Sequence, residues 1–115
     1  MNGKSTIIFK ALSDLNRLRI LNALQARTLC ACEVRKLLGL ANSTVSQHLD
    51  VLKEAGFIVD YKEGRWVNYM INPRPSDERI KSVLGNIDFW INDEKVLVKD
   101  NKTISELDRN IICCT

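Results

Sequence analysis

The chain has 115 residues, of which 45% are hydrophobic and 27% are charged. This length suits one domain and is too short for two independent cores, and the composition excludes disordered, fibrous and low-complexity proteins. The net charge is only +3, but residues 1–75 hold 11 Lys and Arg against 6 Asp and Glu, whereas residues 76–115 hold 6 against 8. The front of the chain is therefore basic, which suits a nucleic-acid surface but also occurs in many enzymes.

The start of the chain does not resemble a secretory signal, because Lys10 interrupts its apolar run, and no stretch approaches the length of a membrane span. We therefore expect a cytoplasmic protein with no membrane partner. In that reducing compartment, the four cysteines are expected to be thiols, metal ligands or redox groups rather than a structural disulfide framework.

Apolar residues at helical spacing predict two opening helices, Ser5–Leu12 and Leu15–Ala26. After a short break, Cys32–Leu38 is long enough for two helical turns, and Gly39 supplies a left-handed residue that ends a helix. The sequence thus predicts a short third helix with a glycine stop.

A longer fourth helix is predicted after the tight connection Leu40–Ala41. Asn42 and Ser43 have side-chain oxygens that suit an N-cap, and the helix is expected to run to about Ala55 and to end at Gly56.

Aromatic and β-branched residues predict a β-hairpin made of Phe57–Tyr61 and Trp66–Ile71, with a basic turn at 62–65. A helix is predicted again over Asp77–Asn92. Its apolar face is broad for so small a domain, and together with the first helix it favours a symmetric homodimer.

Residues 93–115 are predicted to form a C-terminal tail outside a main domain of residues 1–92. Within this tail, Thr103–Ile112 is expected to form one short helix, whose Thr103 and Glu106 fit a capping box. The adjacent pair Cys113 and Cys114 lies close to the end of the sequence.

The order short helix, tight turn, longer helix and two-stranded wing is typical of a winged helix-turn-helix, in which the longer helix enters the major groove. The fold class is therefore predicted as mainly α with a small β-hairpin, with about five or six helices and a two-stranded wing. Short polar side chains off the apolar stripe of the longer helix suit phosphates and base edges, and the wing adds two phosphate contacts. The candidate DNA-binding residues are Ser43, Thr44, Ser46, Gln47, His48, Lys62 and Arg65. The alternative is that they form merely a solvated polar face and a charged turn.

Cys30 and Cys32 form a Cys-x-Cys pair at the entry of the short helix. Residues two apart in a helix point away from each other, so both sulfurs can bind one ion only if Cys30 lies outside the helix or the first turn distorts. Such binding would disturb the short helix and thereby its partner in the groove. Soft thiolates select thiophilic ions, and trivalent arsenic or antimony takes three sulfurs.

Cys113 or Cys114 is the candidate third sulfur ligand. The alternatives are that Cys30 or Cys32 is a small core residue and that the terminal pair is a loose, reactive tail. A thiol enzyme is disfavoured because Cys-x-Cys lacks the C-x-x-C spacing and no general base lies nearby in sequence, and we expect no organic cofactor.

Residues 28–71 resemble the ArsR/SmtB family of winged-helix metal-sensing repressors. The resemblance rests on LCACE at 29–33, which is similar to the LCVCD motif of arsenite-responsive members, on STVSQHLDVLKEAGF at 43–57 and on GRWVNY at 64–69. It implies a homodimer that represses its own resistance operon and leaves operator DNA when the ion binds, with dimer contacts from the first and last core helices.

The chain departs from the arsenite motif at one position, because Arg35 stands where a third cysteine is expected. Cadmium and lead sensors of the family add cysteines from an N-terminal arm, and zinc sensors use Asp and His on the last helices, whereas His48 is the only histidine here. The sequence thus predicts a repressor released by trivalent arsenic or antimony. The alternatives are a cadmium or lead sensor and a thiol redox-responsive repressor of the same fold.

Overall fold

The computed structural model describes residues 3–112, except for the side chains of residues 111 and 112. Its helices are α1 (Lys4–Leu12), α2 (Leu15–Ala26), α3 (Ala31–Leu38), α4 (Asn42–Ala55), α5 (Glu78–Trp90), α6 (Val96–Glu106) and the four-residue α7 (Arg109–Ile112). Its strands are β1 (Leu29–Cys30), β2 (Ile58–Glu63) and β3 (Trp66–Ile71). No helix within the described range has the length and apolar character needed to cross a membrane.

The predicted winged helix-turn-helix is confirmed. Helices α3 and α4 are joined by residues 39–41, and β2 and β3 form an antiparallel hairpin in which Ile58 pairs with Ile71 and Glu63 with Trp66. The hairpin turns at Gly64, whose φ of 60° lies in the left-handed region that favours glycine. The same hairpin is the predicted wing.

The sheet has a third strand, which the sequence analysis did not predict. Strand β1 pairs antiparallel with β3, so that Leu29 lies opposite Tyr69 and Cys30 opposite Asn68. A segment of two residues is too short to show the alternation that identifies a strand in a sequence. Its consequence is that the segment before α3 is hydrogen-bonded to the base of the wing.

The predicted ends of α3 and α4 are confirmed at Gly39 and Gly56, whose φ angles are 67° and 98°. The predicted N-cap of α4 is wrong. Ala41 occupies that position with no side-chain hydrogen bond, and Asn42 and Ser43 lie in the first turn. The buried stripe Val45, Leu49 and Leu52 sets the register of α4, and burial of this stripe outweighs the contribution of a cap.

The prediction of one helix over Thr103–Ile112 is also wrong. Thr103 lies inside α6, and its hydroxyl donates to the Lys99 carbonyl instead of capping a helix start. Helix α6 ends at Glu106, and α7 begins after a break at residues 107 and 108. The capping-box pattern at Thr103 and Glu106 was therefore misleading.

Helix α6 packs against α2 and contributes Leu97 and Ile104 to the same hydrophobic core as the other helices. A buried ion pair fixes this contact. Two nitrogens of Arg19 on α2 donate to the two carboxylate oxygens of Asp100 on α6 at 2.8 and 3.0 Å. The Asp100 side chain is 4% exposed. A carboxylate this deeply buried is stable only when it is paired.

Replacement of Asp100 by Asn is therefore expected to destabilise the protein by about 3 kcal/mol, because the Arg19 guanidinium loses its counter-charge in a mostly buried site. Urea unfolding at fixed protein concentration measures the free energy of unfolding. The exposed Asp93 provides a matched control, since Asp93→Asn removes the same charge from the surface. Equal stability of the Asp100 and Asp93 variants would contradict the assigned role of this ion pair.

Candidate functional site

Helix α4 has one buried face and one open face. Val45, Leu49 and Leu52 are buried in the core. Ser43, Ser46 and Gln47 are exposed, and Thr44 is half-buried. Because the N-cap side chain makes no hydrogen bond, the backbone N–H groups of the first turn remain available to other acceptors.

His48 lies at the edge of this open face and is half-buried. Its Nδ1 atom is 3.0 Å from a terminal nitrogen of Arg17. The other two nitrogens of this guanidinium donate to the carbonyls of Lys10 and Ala11 at the end of α1. A guanidinium group has no acceptor, so Nδ1 must accept and the ring hydrogen must reside on Nε2. Arg17, which the sequence analysis did not single out, therefore fixes the tautomer of His48.

The tip of the wing carries the two predicted basic residues. Lys62 and Arg65 are both exposed. The Arg65 guanidinium lies 4.9 Å from the centre of the Trp66 ring, which is within the range of a cation–π interaction. The wing therefore presents positive charge close to a rigid aromatic ring.

The two cysteines of the Cys-x-Cys pair occupy different kinds of backbone. Cys30 is the N-cap of α3, with extended angles (φ −82°, ψ 165°), and Cys32 lies in the first turn of the helix. Cys30 must lie outside the helix if both sulfurs are to reach one ion without distortion, and it does. Cys30 is 1% exposed and Cys32 is half-buried.

Glu33 fixes the start of α3 through a capping box. The Cys30 backbone N–H donates to one carboxylate oxygen of Glu33 at 3.0 Å, and the Cys30 side chain accepts from the Glu33 backbone. The other carboxylate oxygen accepts from Arg27 at 2.7 Å. Burial raises the pKa of the Cys30 thiol, and the hydrogen bond from the Glu33 backbone only partly opposes this effect.

The structure describes only two of the four predicted cysteine ligands. Cys113 and Cys114 lie outside the described residues. Within residues 3–112, no three His, Cys, Asp or Glu side chains are grouped so as to hold a metal ion. Cys32 is disulfide-bonded in the structure. Because capture of a soft ion needs thiolates, any such site at Cys32 belongs to the reduced chain.

A polar cavity of about 400 Å³ is lined by residues of the α2–α3 region, the wing and the C-terminal segment. Arg27, Glu33, Glu63, Asn68 and Arg109 are among its lining residues. These groups were not predicted from the sequence. The only sequence signal was Glu33 three residues after Cys30, which is the spacing of a capping box with a cysteine in place of the usual Ser or Thr.

The described geometry agrees with the comparisons to known proteins. Residues 14–59 match the family model described as bacterial regulatory protein, arsR family. The arsenic resistance transcriptional regulator ArsR1 of Pseudomonas putida is 37% identical over an alignment of 90 residues, and this alignment covers 74% of this chain and 70% of that protein. The chain belongs to the ArsR family. Another regulator of that organism, ArsR2, is 32% identical over 93% of this chain and 95% of its own length.

Relatives within the ArsR family differ in the metal or metalloid that appears in their names. The cadmium resistance transcriptional regulatory protein CadC of Listeria innocua is 41% identical over 55% of this chain and 54% of its own length. Among solved structures, HlyU of Vibrio cholerae has a TM-score of 0.65 at 27% identity, covering 78% of this chain and 94% of HlyU. The antimony-specific transcriptional repressor AntR has a TM-score of 0.58 at 25% identity, with 79% of each chain covered. The chain is thus a DNA-binding transcription regulator and not an enzyme.

Two substitutions at Glu33 separate its capping bond from its ion pair. Glu33→Gln keeps an oxygen that can accept from the Cys30 N–H but removes the charge that pairs with Arg27, whereas Glu33→Ala removes both. We expect the Ala variant to lose about 3 kcal/mol of stability. The Gln variant should be about 1 kcal/mol more stable than the Ala variant, which is the usual contribution of an N-cap bond. Urea unfolding measures both, and equal losses would show that the capping bond contributes nothing.

Proposed function

We propose that this chain is a metalloid-responsive transcriptional repressor of the cytoplasm. It binds operator DNA as a homodimer and dissociates when trivalent arsenic or antimony binds the thiolates of Cys30 and Cys32 together with Cys113 or Cys114. The observation that carries the proposal is the position of the Cys-x-Cys pair. One cysteine caps α3 and the other lies in its first turn, and α3 packs against α4.

The donor set agrees with the proposed inducer. Thiolates are soft ligands that favour thiophilic ions, and the described residues offer two cysteines at one helix start. Arg35 replaces the third cysteine of the arsenite motif, so a third sulfur must come from another part of the chain or from the partner. Only Cys113 and Cys114 remain in the sequence as further cysteines.

The fold supplies a reason why ion binding changes affinity for DNA. The Cys30 side chain accepts a hydrogen bond within the capping box of α3. When Cys30 and Cys32 turn toward a shared ion, the Cys30 side chain gives up that bond and the first turn of α3 loosens. Because α3 packs against α4, this change moves the surface that supports the DNA-contacting helix.

The DNA contacts divide into two kinds. The exposed Gln47, and His48 through its Nε2–H, are proposed to read base edges in the major groove. The hydroxyls of Ser43, Thr44 and Ser46 and the basic side chains of Lys62 and Arg65 are proposed to bind the phosphate backbone. Because Nδ1 of His48 already accepts from Arg17, His48 is proposed to act as a donor toward DNA.

The homodimer is proposed from exposed aromatic side chains on the first and the last predicted core helices. Phe9 on α1 is 70% exposed, and Phe89 and Trp90 on α5 are 76% and 53% exposed. Large aromatic side chains left this open in a small domain favour a subunit contact. The resemblance to the family implies dimer contacts from these same two helices.

Fluorescence anisotropy of a labelled duplex from the gene's own promoter tests the inducer. The reduced protein is titrated onto the duplex and then challenged with arsenite, which we expect to release it at about one equivalent per site. Cys30→Ser and Cys32→Ser should each abolish release while keeping DNA affinity. Serine is a preferred N-cap residue, so the first of these variants keeps the cap.

Further variants and ligands decide among the remaining assignments. Cys113→Ser and Cys114→Ser identify the third sulfur, because only the ligand's replacement should weaken the response. Release by Cd²⁺ but not by arsenite would replace the metalloid with cadmium, the metal in the name of CadC. The disulfide bond of Cys32 makes a thiol redox switch the second candidate function, and release by peroxide without response to arsenite would favour it. Tight DNA binding with no release by any of these agents would overturn the sensing proposal.

The two kinds of DNA contact are expected to respond differently to substitution. Gln47→Ala should weaken operator binding by about 1–3 kcal/mol and reduce discrimination against mismatched sites, because a base contact is lost. Lys62→Ala should weaken operator and random duplexes alike and lower the slope of log Kd against log salt by about 0.9. Anisotropy titrations on both duplexes at several salt concentrations measure this. A uniform loss for Gln47→Ala would assign that residue to the backbone instead.

A further inference from the structure

Arg109 in α7 contacts the wing at three side chains. One terminal nitrogen donates to the side-chain oxygen of Asn68 at 2.8 Å, and the other donates to the carboxylate of Glu63. The guanidinium carbon lies 4.1 Å from the centre of the Trp66 ring. A planar group that forms two directed hydrogen bonds and one stacking contact defines the position of its partners more closely than a single charge pair does.

These three partners lie where they control the wing. Glu63 ends β2 and lies next to Lys62, while Trp66 begins β3 and lies next to Arg65. Asn68 is 2% exposed and is paired with Cys30 across the sheet. The Asn68 amide also donates to Glu63 at 2.9 Å. Arg109 therefore connects both strands of the wing at the base of its basic turn.

Two guanidinium groups lie over the Trp66 ring. Arg65 lies 4.9 Å and Arg109 4.1 Å from the centre of its ring. Its indole Nε1 is buried and makes no hydrogen bond among the described residues. The ring is therefore held by cation–π contacts and packing, and loss of Arg109 removes the closer of the two cations.

Helix α7 also contacts the helix that contains part of the cysteine motif. Helix α7 packs against α3, the helix whose first turn contains Cys32, and residue 112 directly precedes the Cys113–Cys114 pair in the sequence. The C-terminal segment thus contacts both α3 and the candidate DNA-contacting wing.

We infer that Arg109 is a positioning residue for DNA binding, which holds the wing in its DNA-binding orientation and makes that orientation depend on the C-terminal segment. The first part needs only the DNA-binding activity of the family. The second part rests on the proposed function, because it supposes that a terminal cysteine moves when it binds the inducer. The hydrogen bonds from Asn68 and Arg109 hold the pKa of Glu63 below its usual range.

The two alternatives are that Arg109 contacts a phosphate directly and that it merely adds stability. The conservative replacement separates positioning from phosphate contact. Lysine retains the charge that a phosphate needs but cannot form two hydrogen bonds and stack on Trp66 at the same time. Arg109→Gln and Arg109→Lys are therefore both expected to weaken operator binding about fivefold to tenfold. Wild-type affinity of the Lys variant together with reduced affinity of the Gln variant would overturn the proposal in favour of a phosphate contact.

Hydrogen exchange of the DNA-free protein reports on the wing itself. We expect faster exchange of the β2 and β3 amides in Arg109→Gln at a temperature where circular dichroism shows the variant fully folded. Arg79→Gln is the matched control, since Arg79 is an exposed arginine on α5 that pairs with Asp77, and its loss should leave wing exchange unchanged. Unchanged wing exchange in Arg109→Gln would overturn the proposal.

A double-mutant cycle with Glu63→Gln shows whether Arg109 acts through the wing. If it does, Arg109→Gln should have a smaller effect on Kd in the Glu63→Gln background than in the wild type, and full additivity would contradict the assignment.

The ratio of Kd with arsenite to Kd without arsenite tests the second part of the inference, which is the dependence of the wing on the C-terminal segment. We expect arsenite to raise Kd by a smaller factor in Arg109→Gln than in the wild type, because Arg109 no longer holds the wing of this variant even without arsenite. An unchanged factor in a protein that responds to arsenite would overturn that part. A wild-type protein that does not respond to arsenite would refute the proposed function but leave the exchange result standing.

Discussion

The carboxylate of Glu33 is the group on which the arrangement of the candidate sensing region depends. It is almost fully buried, and it accepts from the Cys30 backbone N–H on one side and from Arg27 on the other. Arg27 in turn donates to the carbonyls of Ile104 and Leu107 at the end of α6. One buried charge therefore ties together the end of α2, the start of α3 and the end of α6. Removal of any member leaves a buried polar group without its partner, which is why such networks tolerate little change.

The same network explains why the cysteine motif is suited to a switch. The Cys30 sulfur takes part in capping α3, and Cys30 also pairs with Asn68 in the sheet. A ligand that draws this sulfur away competes with the cap for one atom. The competition links three structures that adjoin Cys30, which are the first turn of α3, the strand pairing at the base of the wing, and the Glu33 network. A sulfur on an exposed loop would bind an ion with no such effect on the fold.

Most of the helices could be predicted because their sequence signal, the spacing of apolar residues, recurs along the helix. Each of α1, α2, α4 and α5 repeats an apolar position over several turns, and the glycine stops at Gly39 and Gly56 require left-handed backbone that few other residues adopt. The errors arose where one or two residues decide the structure. Strand β1 forms because β3 offers it an unpaired edge, and the N-cap of α4 falls at Ala41 because core burial sets the helix register.

The candidate site was predictable in its residue types but not in its connections. The Cys-x-Cys pair, the polar face of α4 and the basic wing turn all follow from local sequence. Arg17 and His48 are 31 positions apart in the sequence, and Arg109 is 41 to 46 positions from its hydrogen-bond partners in the wing. No local pattern indicates contacts over such separations. Arginine in a helix is usually solvent-exposed, so its sequence position gives no reason to expect a role in positioning.

The distribution of charge explains how a protein with a net charge of only +3 exposes uncompensated positive charge on its wing. Several arginines are neutralised within the fold, as Arg19 is by Asp100 and Arg27 by Glu33. Lys62 and Arg65 form no salt bridge with any described residue, and both are exposed at the wing tip. Glu63 lies between them in the sequence, and its ion pair with Arg109 offsets a negative charge that would otherwise weaken the attraction for phosphate proposed for these two residues. Arg109 thus affects the wing through its charge as well as through its geometry.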